Sequence, residues 1–315
     1  MVYTRDCMMD NLRKAAFLCL GCAALLAGAA VEPLGVLVTE PAALEAIDTA
    51  PDGRMYITND VDGTILETDR TGKTLRKMDL AGEHPQVVLL LPDGGMVVTV
   101  HAKPPDFSGL AKGKFDLTNL DSAILVLDKN GKRKKRFAGP SETFFNGIAR
   151  VREGHYIVAD STGGSLWQFD LKAGKLEPWF TDASVESAAG KGKFGGSNGI
   201  KVYEGWVYYT SRNTMWKVKI GKYGKPEGAA IKHSAQGGDD FDIAKDGSIY
   251  IAGNKNLLKI APDGSVSTVA EVGVDCPAVR LTRDGSAALM TTRGSFPGFP
   301  GPVTPSKVLR VSLVP

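Results

Sequence analysis

Five side chains with hard-oxygen donors stand at matching places in this sequence: Glu45, Asn146, Asn198 and the pair Asp239-Asp240. Each opens a short apolar segment: Leu44-Glu45-Ala46-Ile47, Phe144-Phe145-Asn146-Gly147-Ile148, Ser197-Asn198-Gly199-Ile200 and Gly237-Gly238-Asp239-Asp240-Phe241. The Asn-Gly-Ile of one segment repeats in the next. One to three carboxylates with two amide carbonyls form a ligand set for a hard cation, and Ca²⁺ accepts such oxygens in flexible geometry. Zinc would call for His or Cys, and the four His, at 84, 101, 155 and 233, form no zinc-type cluster. Asn-Gly and Asp-Asp are also turn chemistry, so the cation reading depends on these positions meeting in space.

They meet only if the chain carries distant segments to one axis, and its repeats do that. Six times a short apolar run is followed by a tight turn and a second run rich in β-branched and aromatic residues. The turns are Ala50-Pro51-Asp52-Gly53, Leu91-Pro92-Asp93-Gly94, Val151-Arg152-Glu153-Gly154, Val202-Tyr203-Glu204-Gly205, Ala244-Lys245-Asp246-Gly247 and Thr282-Arg283-Asp284-Gly285. Runs such as Gly95-Met96-Val97-Val98-Thr99 behind them are strands, and Gly closing a short connection marks a hairpin. A second hairpin follows in most units, as at Ile124-Leu125-Val126-Leu127-Asp128 before Asn130-Gly131-Lys132. Four antiparallel strands per unit of about 40–60 residues predict an all-β, six-bladed β-propeller rather than a two-sheet sandwich or barrel. First strands are expected near Glu45, Gln86, Asn146, Asn198, Asp239 and Pro277. The sixth unit has only three strands after Pro277, and Leu34-Gly35-Val36-Leu37-Val38 is expected to supply the fourth, which closes the ring and removes the last open edge.

Strand parity puts the blade starts and the long connections on one face. Those connections, 102–121, 181–196 and 294–306, carry Phe107, Phe115, Phe194, Phe296 and Phe299 among Gly and Pro. Long loops gathered at one end of a rigid scaffold are where function usually sits. Phe107 and Phe296 are therefore candidate substrate contacts, pointing to an apolar acyl or aromatic substrate.

Composition excludes other classes. The chain has 315 residues, 43% hydrophobic and 23% charged, an ordinary globular mix, and a net charge of +3 does not point to nucleic acid. The dense basic run Lys132-Arg133-Lys134-Lys135-Arg136 follows a turn and is expected on a solvated strand edge. Arg13 and Lys14 precede an apolar run from Ala15 to Ala30 that ends in small residues, the pattern of a secretory signal cut after Ala29 or Ala30. Residues 31–315 are then a single propeller domain in the periplasm or secreted, with no membrane span. Cys7, Cys19 and Cys22 leave with the signal, so Cys276 remains alone, without an internal disulfide.

On these residues the chain resembles the senescence marker protein/gluconolactonase family of six-bladed propellers, with paraoxonase-type lactonases as relatives. The resemblance covers about Leu34 to Val314, is specific at the channel motifs and is generic elsewhere. It implies a metal held by Glu45, Asn198 and Asp239, with Asn146 helping to bind metal or substrate and Asp240 matching a paraoxonase Asn. It also implies an acid/base pair of histidines at His84 and His101. The sequence departs at Phe144, where gluconolactonases carry an Arg two residues before the matched Asn. Phe144 there makes the expected substrate surface apolar and argues against a sugar-acid lactone. The paraoxonase disulfide also has no cysteines here.

The function expected from sequence is an exported, calcium-dependent hydrolase of a small-molecule lactone or ester. The cation would polarise the carbonyl and activate water. Asp239 or Glu45 could take a proton, but His101 or His84 suits a general base better. Two other readings share the fold: a non-catalytic binding propeller with structural calcium, and a strictosidine-synthase-like bond-forming enzyme, a branch that lacks the full metal set.

Overall fold

The computed structural model describes residues 29–38, 42–103, 120–190, 193–253, 255–294 and 305–314. Most of the expected signal and the candidate contacts Phe107 and Phe296, with Phe115 and Phe299, lie outside these residues.

Among the described residues, twenty-four strands form six four-stranded antiparallel sheets. Blade 1 is β2 (Leu44–Thr49), β3 (Met55–Asn59), β4 (Thr64–Thr68) and β5 (Thr74–Asp79). Blade 2 is β6 (His84–Leu90), β7 (Met96–His101), β8 (Ala123–Leu127) and β9 (Arg133–Ala138). Blade 3 is β10 (Phe145–Arg152), β11 (His155–Asp160), β12 (Leu166–Asp170) and β13 (Lys175–Phe180). Blade 4 is β14 (Ser197–Tyr203), β15 (Trp206–Ser211), β16 (Thr214–Ile220) and β17 (Pro226–Ser234). Blade 5 is β18 (Phe241–Ile243), β19 (Ile249–Gly253), β20 (Asn256–Ile260) and β21 (Val266–Glu271). Blade 6 is β22 (Val279–Leu281), β23 (Ala287–Thr291), β24 (Ser306–Ser312) and, from the other end of the described chain, β1 (Val31–Val38).

Strand β1 pairs antiparallel with β24 from Val31 opposite Val311 to Val38 opposite Ser306. The N-terminal strand thus completes blade 6, as the missing fourth strand of that unit required. The inner strands touch in cyclic order β2, β6, β10, β14, β18, β22, and β22 returns to β2. The only helical piece among the described residues is the single 3₁₀ turn Lys222–Gly224. No helix there is long and apolar enough to cross a membrane.

The turn chemistry explains the strand spacing. Gly53, Gly94, Gly154, Gly205, Gly247 and Gly285 close the inner hairpins with φ between 71° and 86°, a region that costs glycine little. In four of these turns an Asp fixes the bend: Asp52, Asp93, Asp246 and Asp284 each accept the N–H two residues on, at 2.9–3.1 Å.

Packing between blades explains why the inner strands read as near-continuous apolar runs. All of β7 is buried. Met96, Val98 and Val100 pack toward blade 1, with Tyr56, Ile65 and Met78, whereas Val97 packs toward blade 3, with Phe145, Ile148 and Val158. Side chains alternate along a strand, so a strand between two blades needs apolar groups on both faces. Arg133 to Arg136 of the basic run lie on β9, the outer strand of blade 2. There Arg136 Nε donates to the buried Glu83 Oε1 at 2.7 Å.

Candidate active site at the upper mouth of the channel

A repeated hydroxyl device sets the positions of the channel residues. In blade 1 the N–H of Ala46 donates to Thr58 Oγ1 at 2.8 Å, and that hydroxyl donates to the carbonyl of Gln86 in blade 2 at 2.8 Å. Thr99 does the same between Val87 and the carbonyl of Asn146, at 3.1 and 2.7 Å. Thr210 joins Gly199 to the carbonyl of Asp239, at 3.0 and 3.3 Å. The inner strands of blades 1, 2 and 4 are thereby tied to the start of the next blade. The Asn-Gly-Ile repeat has a steric cause in the same place. A Cβ on Gly147 would lie 2.6 Å from the carbonyl oxygen of Asn198, and one on Gly199 would lie 2.8 Å from that of Asp239. Glycine lets neighbouring blades approach at the axis.

Glu45, Asn146, Asn198, Asp239 and Asp240 therefore line one narrow axial cavity, together with Lys201. Their partners there differ from the sequence expectation. The guanidinium of Arg293, which follows β23, stands between Glu45 and Asp239. Arg293 Nη2 donates to Glu45 Oε1 and Oε2 at 2.8 and 3.0 Å and to Asp239 Oδ2 at 2.5 Å. Arg293 Nε reaches Glu45 Oε2 at 3.2 Å, and Nη1 reaches Asp275 Oδ2 at 3.3 Å. Asn198 presents its amide nitrogen, not its carbonyl oxygen, to Asp239 Oδ1 at 2.5 Å. Asp240 stands apart from this group and accepts from Lys201 Nζ at 2.6 Å.

Electrostatics follow from this pairing. Burial works against the charge of Arg293, but Glu45 and Asp239 outweigh it and hold its pKa well above the ordinary value. Burial pushes the Glu45 carboxyl up against the pull of Arg293, and pushes Asp240 up against the pull of Lys201. The donor set does not fit a divalent ion as these residues stand. Ca²⁺ needs several oxygens free to converge at about 2.3–2.6 Å. Here both carboxylates are committed to one guanidinium. Among the described residues, no group of three or more His, Cys, Asp or Glu side chains could hold a metal ion. Glu45, Asn146, Asn198, Asp239 and Asp240, expected as a Ca²⁺ ligand set, thus line one cavity in which Glu45 and Asp239 pair with Arg293 and Asp240 pairs with Lys201.

The two histidines are also placed differently from a catalytic pair. His84 and His101 face each other across β6 and β7, but each ring uses Nδ1 elsewhere. His84 Nδ1 bonds to the carbonyl oxygen of Asp60 at 2.6 Å. His101 Nδ1 lies 3.0 Å from Ser122 Oγ, whose own proton goes to the Thr143 carbonyl at 2.6 Å. His101 must then donate from Nδ1, which leaves Nε2 with a lone pair, buried and without a partner. Burial, with a smaller contribution from His84, lowers the His101 pKa to about 3. An imidazole that weakly basic is a poor general base near neutrality.

Phe144 is buried and packs on His101 with ring centroids 4.1 Å apart, and Phe194 packs edge-on to Phe144 at 5.4 Å. Phe144 is thus a wall behind His101 and is not open to a substrate in this state.

Two residues that the sequence reading did not single out belong to the site. One is Arg293. The other is Asp60, just past the end of β3, whose N–H donates to the Ala43 carbonyl at 2.9 Å. Its carboxyl is buried, with no well-aligned partner at Oδ1, and the Gln86 amide beside it pulls its pKa down. Burial first, then the charge of Glu45, raise the Asp60 pKa to about 8. Asp60, His101 and Arg293 all lie at or just past the end of the second strand of a blade. Parity puts those ends at the same mouth as the blade starts, so aligning the repeats at both positions would have found all three.

No protein-family model matches the sequence, and no curated protein matches it. Solved structures do match over nearly the whole chain. A luciferin-regenerating enzyme is 13% identical, covering 90% of this chain and 95% of its own, with a TM-score of 0.65. A gluconolactonase from Xanthomonas campestris is 12% identical, covering 92% of each chain, also at 0.65. Gluconolactonase-like propellers are thus among the structural neighbours of this chain. The calcium-binding protein regucalcin from Agrobacterium tumefaciens is another, 14% identical over 90% of this chain and 95% of its own, with a TM-score of 0.63. At these identities the likeness is one of fold, the fold that the channel motifs implied.

Proposed function

We propose that this propeller hydrolyses a small lactone or ester at the upper mouth of its channel, outside the cytoplasm once its leader is removed. The observation that carries the reading is Asp60, a buried carboxyl with no charged partner in hydrogen-bond contact and a pKa raised to about 8. Ester hydrolysis adds water to a carbonyl carbon and expels an alkoxide, and the proton lost by the water returns to the leaving oxygen. A group that exchanges that proton near neutrality needs a pKa close to the working pH. Asp60 has it and His101 does not, so the acid–base role assigned from sequence to His101 and His84 passes to Asp60. His84 positions Asp60 through its carbonyl. The lone pair on His101 Nε2 is an acceptor for water or for a substrate hydroxyl.

The fold shared with a gluconolactonase supports the reaction class. A panel of γ- and δ-lactones and aryl esters, presented to the wild type and to Asp60→Asn, tests the proposal. Turnover by the wild type that falls at least about 100-fold in the variant is expected for a lost acid–base group. Equal rates in both would refute the role of Asp60. A substrate analogue that stabilises the fold but is never hydrolysed would favour a binding propeller.

A further inference from the structure

We propose that Arg293 is a built-in cation: its guanidinium fills the point where the axial donors converge, so the chain holds no divalent ion there. The geometry points to this directly. Nη2 is 2.8 and 3.0 Å from the two oxygens of Glu45 and 2.5 Å from Asp239 Oδ2. An ion bound by those three oxygens would have to stand where this nitrogen stands.

The arginine is also built into the ring and is not a surface side chain that swings in. Arg293 pairs with Ala43 in an isolated antiparallel bridge, and its N–H donates to the Asp275 carbonyl at 3.1 Å. The N–H of Gly294 donates to the Ala42 carbonyl at 3.1 Å. The backbone is thus held both to the start of blade 1 and to the segment that enters blade 6, and the side chain points to the axis from blade 6. From there it joins Glu45 of blade 1 to Asp239 at the start of blade 5.

Every carboxylate of the cluster has a cationic partner: Glu45, Asp239 and Asp275 share Arg293, and Asp240 has Lys201 at 2.6 Å. A divalent ion would have to displace the guanidinium from Glu45 and Asp239, leaving a mostly buried cation with Asp275 alone, and the loss of those two pairs opposes the exchange. Arg293 has this role whether or not the mouth hydrolyses esters, and the test reads cation binding, not turnover.

The experiment titrates Ca²⁺ into the full-length folded protein by calorimetry and follows thermal unfolding in Ca²⁺ and in chelator. For the wild type we expect no saturable heat and the same Tm in both. Arg293→Ala and Arg293→Met free the two carboxylates. In either variant Ca²⁺ at about 100 times its Kd should raise Tm by several degrees, and adding Asp239→Asn should abolish that rise. Saturable binding of one Ca²⁺ by the wild type, lost in Asp239→Asn, would overturn the proposal. So would a folded Arg293 variant that gains no Ca²⁺ response, because the donors rather than the arginine would then be what excludes the ion. If neither variant folds, the wild-type titration decides alone.

Discussion

Replacing Asp60 by Asn removes one titratable proton from a buried site and leaves the shape almost unchanged. The carboxyl titrates at 3.8 when free and at about 8 in the fold, because burial and the nearby Glu45 disfavour its charge. Below pH ~4 both folded and unfolded chains hold the proton, and the raised pKa costs nothing. Between pH ~4 and ~8 the unfolded chain has released it while the folded chain keeps it, so stability falls as pH rises, by up to ~1.4 kcal/mol per pH unit. Above pH ~8 the loss is complete, at roughly 6 kcal/mol for a shift of about four units. At pH 7 the ceiling is ~4 kcal/mol, to be set against about 1 kcal/mol for any hydrogen bond the amide makes less well. Asp60→Asn should therefore be more stable than wild type at pH 7, by about 2–3 kcal/mol, and nearly equal to it at pH 4. Urea unfolding of both proteins at pH 5, 6, 7 and 8 reads this directly, with m unchanged. Burial also raises Asp160 and Asp240, but their contribution is common to both proteins and cancels in the difference. A stability difference that stays flat from pH 5 to 8 would show that Asp60 is ionised in the folded protein, and the acid–base assignment would fail with it.

His101→Gln should keep the alkaline limb of the pH–rate profile that Asp60 sets, while Asp60→Asn should lose it; a limb that follows His101 would reverse the assignment. Arg280 ties blade 6 to both neighbours on the lower side of the channel, at 2.9 Å from Asp48 and 3.6 Å from Asp242. Arg280→Ala should cost about 3 kcal/mol, because two largely buried carboxylates lose their partner, and a shift in the urea midpoint measures it. Gly199→Ala places a Cβ 2.8 Å from the Asp239 carbonyl oxygen and should cost about 1–3 kcal/mol. The same shift at an open turn glycine such as Gly205, where a Cβ meets nothing within 4 Å, should come from backbone conformation alone. Equal costs at both positions would mean that crowding at the axis is unimportant.

The ring closure shows how two arginines of one blade share a task. Arg293 spans blades 5 and 1 above, and Arg280 spans the same two blades below. Blade 6 is the unit assembled from both ends of the described chain. There a pair of ionic ties supplements the β1–β24 ladder.

Much of this protein is legible in its sequence because the governing rules are local. Gly at the close of six turns, Asp two residues before the next N–H, and apolar runs between them fix the hairpins one at a time. Six similar hairpins then have one economical arrangement, a ring in which each sheet covers its neighbour. The deficit of one strand in the last unit even identified the segment that fills it. Strand boundaries were less legible: β18 begins at Phe241 and β22 at Val279, each two residues beyond the expected start. The chain enters those blades through the Asp239 and Pro277 positions before its ladder forms.

The identity of the axial cation was not legible. Repeat position tells which side chains reach the mouth, and it placed Glu45, Asn146, Asn198 and Asp239 there. It does not tell which charges meet, because that depends on the direction from which each blade enters the axis. Arg293 is 248 residues from Glu45 and 54 from Asp239 along the chain. Only closure of the ring puts it between them. The same holds for Asp60 and His101, ordinary polar residues at strand ends until packing removes their water. A sequence specifies which groups are present and how they alternate, whereas desolvation and pairing are properties of the assembled interior. Those two effects, acting on residues from different blades, decide which group carries a proton and which cation fills the centre.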